Sequence, residues 1–143
     1  MSAHLILFLI PAVLAFNAKR STDNCCPILN SSVIGKSRPV KNNEGDELSN
    51  CAVLRRIGSE CGNEGFILCE ALDLVTADHT FVQLFDEKGA KVEEMKDSGR
   101  VAGIKIQCDR SSGKWKESTR QFTIQRAACG ITPVEGNELF QLE

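Results

Sequence analysis

Cysteine is the residue type of this chain that carries the clearest chemistry. The sequence contains seven: Cys25, Cys26, Cys51, Cys61, Cys69, Cys108 and Cys129. In an oxidising compartment such cysteines pair as disulfides, whereas a zinc site needs a Cys-x-x-Cys pair or histidine partners at short spacing. Neither pattern occurs, and after the first 15 residues the sole histidine is His79. The sequence therefore predicts disulfides and no metal site.

An odd number of cysteines leaves one thiol over after three bridges. Cys25 and Cys26 are neighbours in sequence. Adjacent Cα atoms lie about 3.8 Å apart, which is shorter than the separation of about 4.4 to 6.8 Å that a disulfide prefers. These two cysteines are not expected to bond to each other, and one of them is predicted to be the spare thiol.

Catalytic chemistry has little support in the sequence. Asp78 beside His79 could act as an acid–base pair, but no Gly-x-Ser-x-Gly motif, histidine-rich set or paired-carboxylate context accompanies them. We therefore predict no catalytic residue and no cofactor, and we do not expect an enzyme.

Two other residues stand out. Asn30-Ser31-Ser32 is a glycosylation sequon, which predicts a glycoprotein with its glycan on Asn30 in a surface loop. Trp115 lies between Cys108 and Cys129 in sequence. We predict a structural role for it, packed on a neighbouring disulfide, in preference to ligand stacking.

The N-terminus is typical of a signal peptide. Leu5–Leu14 (LILFLIPAVL) is an apolar run shorter than the roughly 20 residues that cross a bilayer as a helix. Val13 and Ala15 supply the small residues that a signal peptidase recognises, which predicts cleavage between Ala15 and Phe16. The alternative is an uncleaved anchor helix, which Pro11 disfavours. We expect a secreted, extracellular chain with no membrane span after cleavage.

The remaining composition is that of one globular domain. A net charge of −2, from 17 basic and 19 acidic residues, gives no basic excess, so nucleic acid is not an expected partner. One domain typically takes about 100 to 150 residues. We divide the chain into a signal peptide (1–15), a polar N-terminal arm (16–24), a disulfide domain (25–129) and an acidic tail (130–143).

Within this domain, short strand patterns alternate with turns. Thr80–Phe85 is the clearest strand, Asp86–Gly89 predicts a hairpin loop with Gly at positive φ, and Ala90–Met95 returns antiparallel. Phe66–Leu72 has the composition of a sheet-core strand, and Val101–Cys108 alternates as a half-buried strand. The pattern predicts an all-β fold, a small disulfide-bonded β-sandwich of immunoglobulin-like or sushi-like character.

Three segments are harder to interpret. Cys51–Ile57 fits a strand, although a helix over Asp46–Gly58 is an alternative, and we favour the strand. Arg120–Arg126 alternates like another strand, with a bulge or strand end before Cys129. The tail from Gly130 onward is expected to fray.

The end of the domain resembles a known family. Ile104–Cys108 (IKIQC), Gly113–Trp115, Phe122–Ile124 (FTI) and Cys129 resemble the closing strands of the six-cysteine domain, C6, of secreted nematode proteins. Cys26-Pro27 is similar to its opening cysteine, followed in order by Cys51, Cys61 and Cys69. The resemblance implies an extracellular disulfide domain of unknown function, from which Cys25 departs as an extra cysteine.

The resemblance also implies a pairing. In C6 domains the first and third cysteines tend to be absent together, which implies a Cys26–Cys61 bond. Cys69 and Cys108 lie in apolar strands that we expect to face each other across the sandwich, so we pair them, and Cys51–Cys129 follows by elimination. Cys25 then stays free or links two chains in a disulfide-bonded homodimer.

The expected function is that of a non-enzymatic binding or structural module. Its partner would be another extracellular protein or a glycan, an inference from fold and compartment. The loops Asp86–Gly89 and Lys96–Gly99 are candidate contacts, although solvated turns are the favoured interpretation. The alternative is a small secreted effector such as a protease inhibitor.

Overall fold

The computed structural model describes residues 24–41, 49 and 51–134, and the predicted signal peptide lies outside them. Within these ranges the chain forms eight strands and no α-helix, and so no helix that could cross a membrane. The strands are β1 (Gly35–Lys36), β2 (Ala52–Gly58), β3 (Glu64–Ala71), β4 (Ala77–Phe85), β5 (Lys91–Asp97), β6 (Val101–Asp109), β7 (Lys114–Glu117) and β8 (Arg126–Pro133).

The strands assemble into two sheets of four. The first sheet has the order β1-β8-β4-β5 and the second the order β2-β3-β6-β7. Every neighbouring pair is antiparallel except β1 and β8, which run parallel. The predicted all-β, disulfide-bonded sandwich is confirmed.

Local sequence pattern explains most strands. The alternation predicted for Val101–Cys108 is the β6 pattern, in which Ala102, Ile104 and Ile106 are buried and the residues between them are more exposed. The segment whose sequence allowed either a helix or a strand forms strand β2, as favoured. Gly89 has φ +79° in the loop between β4 and β5, as the hairpin required.

The stretch before Cys129 departs from the predicted strand. Ser118, Thr119 and Arg120 form a turn, and Gln121 follows it at φ +59°. From Gln121 to Gln125 only Thr123 makes a bridge, an isolated one to Lys116. The sequence contains no Gly, Pro, Asn or Asp there to signal a turn. The predicted strand over Arg120–Arg126 is therefore wrong.

β8 replaces that strand and corrects two further expectations. It runs unbroken from Arg126 to Pro133, so no bulge or strand end precedes Cys129. Gly130 and Ile131 are buried inside β8, so the fraying expected from Gly130 onward is wrong for these residues. β8 lacks an alternating pattern because it lies between β1 and β4 with both faces covered.

The core lies between the two sheets. From the second sheet it takes Ile67 and Cys69 of β3 and residues of β6, and from the first sheet it takes Val82, Leu84 and Ala127. Leu29 closes one end, because a Cβ on Gly58 would lie 2.8 Å from Leu29 Cδ1. Each fully buried aliphatic side chain contributes about 1.5 to 3 kcal/mol.

Three disulfides join this framework. Cys69–Cys129 connects β3 to β8 and so ties the two sheets together. Cys26–Cys108 and Cys25–Cys61 fasten the N-terminal segment to β6 and to the β2–β3 turn, with Cα–Cα separations of 5.7 and 4.4 Å.

All three predicted pairings are therefore wrong. Cys69 and Cys108 do not face each other across the sandwich, because β3 and β6 are neighbours in one sheet and Cys69 pairs in register with Ala102. Cys26 bonds to Cys108 instead of Cys61, and Cys129 bonds to Cys69 instead of Cys51.

The predicted spare thiol is wrong as well. Cys25 and Cys26 point to different partners, and both are bonded within the chain. Cys51, the residue immediately before β2, is the free cysteine, and it is partly buried. A homodimer linked through Cys25 is incompatible with this arrangement, because Cys25 has no thiol to offer.

Candidate functional site

The outer face of the second sheet carries apolar side chains with no cover from any described residue. We call it the β2–β3–β6 face. It is made of nine residues in three rows that follow the strand register: Val53, Glu70 and Val101; Arg55, Leu68 and Gly103; Ile57, Phe66 and Lys105. Four of them are large apolar side chains left 42 to 51% exposed: Val53, Ile57, Phe66 and Val101.

The strand register brings these side chains together. Ile57 and Phe66 are directly opposed on β2 and β3, which places their Cβ atoms about 4.5 to 5.5 Å apart. Leu68 lies over Gly103, since a Cβ at Gly103 would be 2.5 Å from Leu68 Cδ2. The glycine thus lets an apolar side chain lie flat across β6 and join the rows into one surface.

Two ion pairs lie among and beside the apolar residues. Arg55 Nε lies 2.8 Å from Glu70 Oε2, and Lys105 Nζ lies 2.6 Å from Glu64 Oε1. All four side chains are at least 40% exposed, so each pair contributes little to stability, about 0 to 1 kcal/mol. The Arg55–Glu70 pair separates Val53 from Ile57, Phe66 and Leu68, so the face combines apolar side chains with charged ones, as many protein-binding surfaces do.

The outer face of the first sheet is, by contrast, covered by the chain itself. Gln83 of β4 is 1% exposed, and its side chain accepts a hydrogen bond from Val40 N–H at 2.8 Å and donates one to Val40 O at 2.6 Å. Phe81 is also buried there, and a Cβ on Gly130 would overlap its ring. The two outer faces therefore differ, and the β2–β3–β6 face is the uncovered one.

Trp115 occupies the position of a structural residue. Its side chain is 2% exposed, and Nε1–H donates to Pro27 O at 2.8 Å. Cys108, bonded to Cys26, is its register partner across β6 and β7, so Trp115 and this disulfide share the inner face. The indole joins the N-terminal segment to the core.

The predicted glycosylation residue lies on the surface. Asn30 is exposed, and its Oδ1 accepts hydrogen bonds from the Ser32 hydroxyl and backbone N–H at 2.5 and 2.9 Å. The predicted surface location is therefore correct, and glycosylation itself stays a prediction.

The structure brings Asp78 and His79 together. His79 Nδ1 lies 2.5 Å from Asp78 Oδ2 on β4, and both side chains are partly exposed. Across the described ranges, no three His, Cys, Asp or Glu side chains gather in a way that could hold a metal ion.

Two buried or tightly bonded carboxylates were not foreseen. Glu117 lies at the end of β7 and is 4% exposed. Its burial acts to raise the pKa of the carboxyl group, but hydrogen bonds from the N–H groups of Arg120 and Thr119 outweigh this effect, and the pKa is lowered overall. Asp109 accepts from Lys116 Nζ at 2.7 Å and from two serine hydroxyls, and these bonds, with Lys116 first, hold its pKa well below the usual range. Both carboxylates stabilise turns, and Asp109 carried the one sequence signal, an Asp-x-Ser-Ser-Gly turn.

Comparison with known proteins adds no relative. No protein-family model matches the chain, and neither a curated protein nor a solved structure shows significant similarity to it.

Proposed function

We propose that this chain is a secreted, non-enzymatic binding module that presents the β2–β3–β6 face to another extracellular protein. The observation that carries the proposal is the exposure of Val53, Ile57, Phe66 and Val101 on one continuous sheet face. Contiguous exposed apolar patches are found at interaction surfaces of soluble proteins, whereas single exposed apolar residues are ordinary.

The compartment is supported by the covalent framework. Three disulfides within one chain indicate an oxidising environment, which agrees with an extracellular or secreted protein. The predicted cleavage between Ala15 and Phe16 and the resemblance to the C6 domain of secreted nematode proteins point the same way, and both stay predictions.

The proposal is tested by capture with matched surface variants. The oxidised chain is immobilised as wild type, as Ile57→Thr/Phe66→Thr and as Met95→Thr, and incubated with the extracellular proteins of its source. Met95 is 47% exposed on β5 of the other sheet, so it controls for the mere loss of exposed apolar surface. We expect one protein to be retained by the wild type and by Met95→Thr and lost with the double variant.

Retention by all three chains, or by none, would contradict the proposal. Circular dichroism of each variant must match the wild type, since both substitutions in the double variant are at exposed positions and surface changes usually alter stability by at most about 0.5 kcal/mol.

A further inference from the structure

Among the residues that the structure describes, no strand pairs with one side of the β2 backbone. Leu72 N–H donates to Cys51 O at 3.2 Å, so Cys51 and every second residue after it direct their backbone groups toward β3. The next residue along β3 supports this assignment. Ala71 N–H donates to Arg100 O, on the side of β3 that faces away from β2. The backbone groups that point away from the sheet therefore belong to Ala52, Leu54, Arg56 and Gly58.

The other sheet edges among the described residues are protected. β1 has two residues, and β7 has four and is bridged by Thr123. β5 carries charges at five of its seven positions, and its pairing with β4 shifts register between Leu84 and Phe85. Charge, bulges and shortness are the usual devices against strand addition.

β2 has one of these devices, the inward-pointing charge of Arg56, which disfavours any added strand that cannot neutralise it, and it lacks the others. It has seven residues without proline, and its register with β3 runs unbroken from Ala52 to Gly58. A long, regular edge of this kind is a template for an added strand.

Arg56 supplies the second, independent feature of this edge. It lies on the inner side of β2, opposite Ile67, and its Nε is buried without a hydrogen-bond partner in the part of the chain that the structure describes. Burial lowers the pKa of the guanidinium, which remains charged. Arg55, one residue earlier on the outer side, is by contrast paired with Glu70.

We propose that β2 accepts an extended segment of a partner protein as an added strand, with a carboxylate of that strand opposite Arg56. The backbone groups of Ala52, Leu54 and Arg56 would pair with the new strand. A side chain directly across from Arg56 stands about 4.5 to 5.5 Å away between Cβ atoms. Arg56 Nε itself is enclosed, but the side chain is only partly buried, so a carboxylate there would be within reach of the terminal N–H groups of the guanidinium. This inference rests on the proposed binding function and names the chemistry of its partner: an extended peptide bearing a central acidic residue.

The probe is a synthetic peptide that isolates both features. It alternates threonine and valine, is acetylated and amidated at its ends, and carries one glutamate at its centre. With the glutamate opposite Arg56, the flanking valines fall beside Arg55 and Ile57 on the outer side. One control peptide replaces glutamate with glutamine, and a second is N-methylated at the amides that face β2.

Amide exchange gives a readout that depends on the edge itself. In the free protein the N–H groups of Leu54 and Arg56 should exchange fast, while those of Val53 and Arg55 are protected by β3. The glutamate peptide should slow exchange at Leu54 and Arg56 and leave Val53 and Arg55 unchanged.

Binding measurements test the charge. Arg56→Gln should weaken the affinity for the glutamate peptide about tenfold to a hundredfold, because it removes a charge-assisted hydrogen bond. Arg100→Gln is the matched control and should change the affinity by at most about threefold, because Arg100 lies outside β2 and is already paired with Asp73. The N-methylated peptide should not bind.

Several results would overturn the inference. These are equal affinity for the glutamine or N-methylated peptide, equal loss with both arginine variants, or binding that leaves Leu54 exchange unchanged. Protection of Leu54 in the free protein, lost on dilution, would assign the edge to a second copy of this chain and also overturn it.

The edge and the face can fail separately. If the peptide does not bind while Ile57→Thr/Phe66→Thr still abolishes capture, the strand-addition inference fails and the binding function stands. If the peptide binds as described but capture is insensitive to the double variant, the edge stands and the proposed role of the face fails.

Discussion

Replacing Trp115 tests how the N-terminal segment is held to the sandwich. The indole is buried on the inner face of β7, and its Nε1–H is bonded to Pro27 O at 2.8 Å. Trp115→Phe removes the donor and part of the ring, and Trp115→Ala removes the whole side chain.

The expected magnitudes follow from these contacts. Pro27 is exposed, so water can replace the lost donor, and the hydrogen bond accounts for about 1 kcal/mol. The smaller phenyl ring adds a cavity term of similar size, which places Trp115→Phe near 2 kcal/mol. Trp115→Ala should cost about 3 to 5 kcal/mol, a large share of the roughly 5 to 15 kcal/mol by which a domain is stable.

Urea unfolding followed by far-ultraviolet circular dichroism measures both variants. Fluorescence cannot serve, because Trp115 is the sole tryptophan and each variant lacks it. Phe66→Leu is the matched aromatic control, since Phe66 is 42% exposed, and it should stay within about 0.5 kcal/mol of the wild type. If Trp115→Ala kept the wild-type midpoint while abolishing binding of a captured partner, Trp115 would be a ligand residue and the reasoning would be refuted.

Three further predictions concern the cysteines and one turn. The native chain should show one titratable thiol, which Cys51→Ser removes with a change in unfolding free energy of at most about 0.5 kcal/mol; a second thiol would contradict the assigned bonds. Mild reduction with alkylation and mass spectrometry should label Cys25 and Cys61 before any other bonded pair, because both are exposed. The lowered pKa of Asp109 means that its stabilising bonds are intact above its unfolded pKa of about 3.9 and are lost as pH falls through the folded value. Asp109→Asn should therefore flatten the acid limb of the stability curve below pH about 4, and identical limbs would disprove this role.

Strands exposed on one face were predictable from local sequence. β6 alternates because one side of Val101–Asp109 meets the core and the other meets water. β8 was missed because this logic fails when both faces are buried, and its Ala-Ala-Cys-Gly-Ile run has no period of two. The turn at Ser118–Arg120 was missed because the buried Glu117 carboxylate holds it, by accepting hydrogen bonds from the N–H groups of Thr119 and Arg120.

The cysteine pairing could not be obtained from spacing. Alternation shows that Cys69 and Cys108 face inward, but it does not show whether their strands share a sheet. Sheet membership depends on long-range pairing, which put β3 beside β6 and brought β8 opposite Cys69.

The candidate site did leave a local signal. β2 reads Ala-Val-Leu-Arg-Arg-Ile-Gly, with Val53 and Ile57 on one side and Ala52 and Leu54 on the other. A half-buried strand normally keeps its apolar residues on the side that faces the core. Apolar residues on both sides of β2 therefore indicated a second contact surface, on the side that the domain's own core does not cover.

The arrangement of the bonds explains why such a surface can be left open. The segment from Cys25 to Lys41 is fastened to the second sheet through Cys61 and Cys108, and it then crosses to the first sheet, where Val40 covers Gln83. Sequence separations of 36 and 82 residues make each of these two bonds worth about 4 kcal/mol in the loop-entropy model, close to the lower limit of a domain's net stability. Stability therefore comes from the covalent framework and the inner core, and the residues of the β2–β3–β6 face contribute little to it. For this reason substitutions at Ile57 and Phe66 should change binding without unfolding the domain.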